Sequence, residues 1–319
     1  MVDWIYYLIF VENKNKTIIM EFLKELGIDT TAERIENIKL GCPDVYENES
    51  MIFCPLTDNL IEDGFFTISN SNGFIHGKVS NKNSVVAMTT LIDIAYQVNL
   101  DTKLNLNFAN AKLEYFKAES VAELTIPLGK SEFRTRNGFN DMTEVFLFIK
   151  TGFGGVACSE VGIYTKRFIC TNGLEIRHGL SYFKCKHTEK MNEKLKVFFG
   201  EILPQFTNSV HDFTQLAKKF DSKDITAEQI ENFKQKFFNY KKGDEIGLRK
   251  GKQLKAFNKG MKVEMDRVGQ TVWGLLQSAT HYTNHGHEFA KNKDFIVTGT
   301  GATLNATAEK YVLNLVKEV

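Results

Sequence analysis

Three stretches decide the fold: VAELTIPL at residues 121–128, TEVFLFIKT at 143–151 and VGIYTKRFIC at 161–170. Each alternates apolar and polar residues, or is dominated by β-branched and aromatic side chains, as a strand requires. The links between them are too short for a crossover helix, so neighbouring strands run antiparallel. Residues 104–108 and 111–116 read the same way. Gly138 and the cluster Gly152, Gly154 and Gly155 mark bends or bulges. The middle of the chain is therefore a curved, mostly antiparallel sheet.

Toward the N-terminus, residues 51–54, 64–69 and 73–79 read as short strands, with a turn-rich link over 69–73 that suggests a hairpin. Residues 85–98 (VVAMTTLIDIAYQV) are apolar nearly all round, which predicts a buried helix capped by Asn83 and Ser84. Residues 17–27 have helical spacing and stop on glycine. Residues 32–49 are polar and loop-like. Toward the C-terminus the period becomes helical, with candidates over 189–202, 210–220, 227–240, 253–267, 270–284 and 303–316. Thr226 and Gln229 form a capping box. Residues 241–252 (KKGDEIGLRKGK) read as a mobile loop. The class is α+β, with a sheet-rich region over 1–188 and a helical region over 189–319 packing on it as one integrated domain.

The 319 residues are 43% hydrophobic and 25% charged, an ordinary globular balance. Five cysteines, an odd count without C-x-x-C spacing, argue against a disulfide framework or a zinc ribbon and for a reduced, intracellular setting. No apolar run of about 18 residues is present, so no membrane span is expected. The apolar start lacks a basic leader and a cleavage site, so it reads as a strand or buried helix and not as a signal peptide. Net charge is +1 but uneven. Residues 184–262 hold 18 Lys and Arg against 10 Asp and Glu, an excess of eight, which leaves the rest at −7. Such a segment is either a polyanion contact or a solvated helical face. The sequence pI of 7.6 is lower than that of many nucleic-acid binders.

The sequence shows no G-x-S-x-G, Walker or H-E-x-x-H signature. GFGGVACSEVG at 152–162 is glycine-rich but opens no helix, which argues against a phosphate cradle. Cys158, Ser159 and Glu160 are strand neighbours that point alternately to opposite faces and need not cooperate. In HYTNHGHE (281–288), His281 and His285 share a helical face, with His287 beyond the glycine. They read as ligands for a divalent metal or as a polar helix end resting on the helix dipole. Basic and aromatic residues interleave in FRTR (133–136), YTKRF (164–168) and YFKCK (182–186). On a sheet, Arg134, Arg136 and Lys166 would grip phosphates while Tyr164 stacks a base. Arg167 and Arg177 flank the turn at Thr171, Asn172 and Gly173, where Asn-Gly permits positive φ. Arg167 either pairs with a buried acid such as Glu160 or faces a phosphate. Cys170 reads as a small core residue. Lys250 and Lys252, within the basic segment 241–262, would add electrostatic grip.

Two elements carry a family resemblance. One is SEVG at 159–162 (Glu160, Gly162) followed by KRFICTNGL at 166–174 (Cys170, Asn172, Gly173). The other is TVWGLLQSATHY at 271–282, with Trp273 and Thr280. Together they resemble the phage/plasmid-like protein family catalogued as domain of unknown function 932, over about residues 74–287. The resemblance implies an intracellular protein of a phage or plasmid, in the cytoplasm of its host, with no established activity. Its sheet-then-helix order is similar in outline to the ring-forming single-strand annealing proteins of phages, an analogy of fold alone. The leading expectation is a single-stranded nucleic-acid-binding protein, a homo-oligomer acting in annealing, recombination or replication, needing no catalytic residue and no cofactor. One alternative is a metal-dependent enzyme of nucleic-acid or nucleotide metabolism, with His281, His285 and His287 at the metal and Glu160 or Asp266 as acid/base. Another is an anti-defence protein whose acidic first half mimics DNA toward a host partner.

Overall fold

The computed structural model describes residues 31–54, 56–69, 73–82, 85–155, 157–167, 174–186, 191–290 and 292–317. The predicted helix over 17–27, the cap at Asn83 and Ser84, and Cys170, Thr171, Asn172 and Gly173 lie outside them.

The described residues begin with α1 (Thr31–Leu40) and a three-stranded antiparallel sheet of β1 (Val45–Phe53), β2 (Leu60–Ser69) and β3 (Ile75–Val79). α2 (Met88–Thr102) then leads into a five-stranded antiparallel meander: β4 (Lys112–Phe116), β5 (Val121–Arg134), β6 (Asn140–Gly152), β7 (Ser159–Arg167) and β8 (Leu174–Cys185), paired in sequence order. Helices follow: α3 (Met191–Ile202), α4 (Ser209–Ser222), α5 (Ala227–Phe238), α6 (Leu248–Val268), α7 (Val272–His281), α8 (Lys293–Val297) and α9 (Thr300–Lys317). The class is α+β.

One face of the meander carries the two large cores. Leu124, Ile126, Leu147, Ile149, Val161 and Ile163 meet Leu91, Ile92 and Ala95 of α2 and Leu195 and Phe199 of α3. Further along, Phe133 and Val145 meet Phe213, Phe233, Phe257, Trp273 and Leu276 from the C-terminal helices. A bulge between Pro127 and Gly129 shifts the β5–β6 register, so Phe133 keeps to the helix side. On the other face Val297 of α8 reaches Phe116 and Val121.

The glycine-rich segment after β6 has a packing reason. Gly154 lies at φ +63°, and a Cβ there would stand 2.5 Å from the His76 carbonyl carbon. Only a glycine lets this turn touch the β3 backbone.

Several sequence expectations are corrected. Residues 32–49 form α1 and the start of β1 instead of a loop. Residues 104–108 are no strand: Lys103 caps α2 in the left-handed region, and Asn99 Oδ1 accepts from the Leu106 amide at 2.8 Å. The expected mobile loop is helical from Leu248 onward, with Gly247 as its N-cap. α2 begins at Met88 instead of residue 85.

Candidate nucleic-acid interface and the charge network behind it

Period-two geometry splits the YTKR run of β7. Val161, Ile163 and Arg167 face the helices, and Glu160, Gly162, Tyr164 and Lys166 face the other way. Arg167 is 2% exposed. Its Nε donates to Asp141 Oδ1 at 2.6 Å, and its Nη1 donates to Glu264 Oε2 at 2.9 Å and to Gln277 Oε1 at 3.3 Å. Nη2 stands 2.6 Å from Asp141 Oδ2 but off the hydrogen-bonding angle. The buried-acid pairing is therefore present, with Asp141 and Glu264 as the partners instead of Glu160. Phe139 lies 5.7 Å from the guanidinium carbons of both Arg167 and Arg267.

The helices reach this centre by repeats of four. Trp273, Gln277 and His281 stack on one face of α7. Trp273 Nε1 donates to Asp141 Oδ2 at 2.9 Å, Gln277 meets Arg167, and His281 Nδ1 is 3.0 Å from Glu264 Oε1. Thr271 caps α7 through the Gly274 amide. A Cβ at Gly274 would lie 2.2 Å from the Gly269 carbonyl oxygen, so the α6–α7 corner demands glycine. Gly260 of α6 likewise clears the His281 ring, where a Cβ would meet Cδ2 at 2.7 Å. Thr280 is fully buried and donates to the Leu276 carbonyl. Arg167 and Trp273, from the two family elements, thus meet on Asp141.

Burial pushes the Glu264 carboxyl up, but the His281 hydrogen bond and the Arg167 charge outweigh it. The group sits below the usual carboxylate range and is ionised. Its charge makes Nδ1 the protonated nitrogen of His281, fixing the tautomer. Two guanidiniums, Arg167 and Arg267, face two carboxylates, Asp141 and Glu264.

The other proposed contacts scatter. Tyr164 is 7% exposed and stacks on Phe146 with centroids 4.8 Å apart, so it offers no open platform. Lys166 is half-buried on the same face, and Arg177 stands opposite Tyr164 in the β7–β8 register. Glu160 pairs with Lys150 and Lys184. Arg134 is exposed at the β5–β6 turn, donating to the Gly138 carbonyl at 3.3 Å. Arg136 pairs with Asp224 at 2.6 Å. Lys250 donates to the Asn239 carbonyl at 2.8 Å, and Lys252 is exposed.

The histidines do not converge on one ligand set. His285 lies edge-on to His281 with centroids 5.2 Å apart, while His287 stacks on Phe295 at 4.3 Å and accepts from the Phe289 amide. Among the described residues no three His, Cys, Asp or Glu side chains gather as a metal site.

The sequence reading missed the pattern on α6. Phe257, Gly260, Glu264 and Val268 form its buried stripe, and Lys252, Lys255, Lys259 and Lys262 lie exposed on the opposite side at spacings of three, four and three. Arg249 pairs with Glu288 and Arg267 with Glu264, but among the described residues the four lysines make no ion pair. An acid on the buried stripe was the available signal for Glu264. For Asp141, next to a turn, there was none.

This arrangement is that of an α+β protein whose sheet and helices are tied by a buried ion-pair centre. Residues 107–307 match the family model described as Domain of unknown function (DUF932), and the chain belongs to that family. No curated protein and no solved structure matches it. Among the described residues no helix is long and apolar enough to cross a membrane.

Proposed function

We propose that the protein binds single-stranded nucleic acid, in annealing, recombination or replication, and that the outer face of α6 is the contact. The observation that carries this reading is the row Lys252, Lys255, Lys259 and Lys262, exposed and without ion pairs among the described residues. Ten residues of helix separate its ends, about 15 Å at the helical rise. Each unpaired lysine can neutralise a phosphate and release its counterion, so binding falls with salt. The interface is therefore helical. Arg134, Tyr164 and Lys166 do not form the sheet platform, and Arg167 acts from within by holding α6.

The test is a fluorescence-anisotropy titration of a mixed-sequence single strand at several salt concentrations. K252Q/K255Q/K259Q/K262Q should bind more weakly, with the slope of log K against log salt shallower by about 3, at about 0.7 per phosphate contact. Wild-type affinity and slope in a folded quadruple variant would remove this face from the interface.

A further inference from the structure

We infer that the crevice between α5 and α9 receives an unstacked nucleobase of the bound strand; this rests on the nucleic-acid reading above and adds a base-binding subsite to it. The crevice has a volume of about 570 Å³, within the usual range for a small-ligand site.

Its chemistry is specific. Asn232, Gln235, Asn239 and Asn314 line it, and no carboxylate does. The side chains of Asn232, Asn239 and Asn314 make no hydrogen bond among the described residues, whereas Gln235 reaches Glu231. A primary amide offers a donor pair and an acceptor side by side, which matches the edge of a base. A lining without carboxylates and with little apolar surface suits neither a divalent cation nor a lipid chain.

Two tyrosines line it and are fixed by their hydroxyls. Tyr311 donates to the Gln229 carbonyl at 2.8 Å, and Tyr240 to Glu231 at 2.7 Å. Base–aromatic contact is the sequence-tolerant part of single-strand binding. Cations stand over both rings: Lys236 Nζ is 5.1 Å from the Tyr311 centroid, and Lys250 Nζ is 6.0 Å from that of Tyr240. A base entering here would carry its phosphate toward these lysines. Lys250 also belongs to the first turn of α6, the helix that carries the lysine row, on the side of Phe257 and Glu264.

The experiment compares two labelled strands of about 20 nucleotides, longer than one site, one of mixed sequence and one abasic with the same phosphates. Wild-type full-length protein should prefer the base-bearing strand by about tenfold at fixed salt. N232A/N314A removes two exposed amides without packing roles. It should weaken that preference severalfold and keep wild-type affinity for the abasic strand, with unchanged thermal unfolding. Equal wild-type affinity for both strands, or a preference undiminished in the variant, overturns the subsite and leaves the lysine face standing. Failure of both strands to bind at low salt overturns the subsite and the nucleic-acid reading together.

Discussion

Replacing Arg167 by Met leaves two buried carboxylates without their shared counter-charge. Asp141 and Glu264 are each about 1% exposed, so water cannot take over. Removing one partner of a buried ion pair typically costs about 3–5 kcal/mol, mostly the desolvated charge left behind. A domain of ordinary stability has about 5–15 kcal/mol in all, so R167M should fold with a strongly lowered urea midpoint. The triple variant R167M/D141N/E264Q separates the charge effect from packing. It removes all three charges, keeps an acceptor for Trp273 Nε1, and should regain most of the loss, because well-packed neutral replacements of whole buried networks are often neutral or better. Equilibrium urea unfolding followed by tryptophan fluorescence gives each value. A loss below about 1 kcal/mol in R167M would show that the carboxylates do not depend on this guanidinium. A triple variant no better than the single one would place the cost in packing. The folded fraction of R167M should keep wild-type strand affinity, since the side chain is buried.

Two further perturbations test the scaffold. Stability should fall on acidification in two stages. Burial, only partly countered by Glu119, lowers the His76 pKa, so its contribution is present above about pH 6.5 and fades as pH falls toward the folded value. The depressed Glu264 contributes above the ordinary glutamate range and is lost as pH falls through its folded value; urea midpoints across pH should decline in both windows. A midpoint flat from about pH 7 to about pH 4 would contradict the His76 assignment, and one that stays flat well below the ordinary glutamate range would contradict that of Glu264. At the sheet junction, G154A should lose more stability than G155A. Both glycines have positive φ, each costing about 1–2 kcal/mol in an L residue, but only at Gly154 would the Cβ also strike the His76 backbone, while Gly155 faces open space; equal shifts in thermal midpoint would argue against that close approach.

What could be read from the sequence was what local periodicity controls. The meander strands, the buried helix α2 and the capping box at Thr226 and Gln229 all depend on neighbours within a few residues. The misreadings have local causes too. α1 buries only Ile35 and Ile38, too narrow a stripe to stand out in a polar run. Leu104, Leu106 and Phe108 alternate like a strand, but the Asn99 side chain takes the Leu106 amide and bends the chain. The glycines at 247 and 251 masked the first turn of α6. At the site, an inward strand arginine called for an acid, and that need was legible. Its partners were not, because Asp141 and Glu264 lie 26 and 97 residues away and only tertiary packing brings them in.

The two faces of α6 also divide the scaffold from the candidate contact. The inner face carries Glu264, locked to Arg167 from the sheet and to His281 from α7. The outer face carries four lysines whose charges repel one another along the helix. An isolated helix of this composition would gain little from forming, since like charges at i, i+3 and i, i+4 oppose it and two glycines lie in its interior. Anchoring the opposite side holds the lysines at fixed spacing before any phosphate arrives, so less ordering remains to be done on binding. The inner charges match two for two, so they add no net field of either sign beneath the lysines. Substitutions in the inner set should therefore act on stability, and those in the outer set on affinity and its salt dependence.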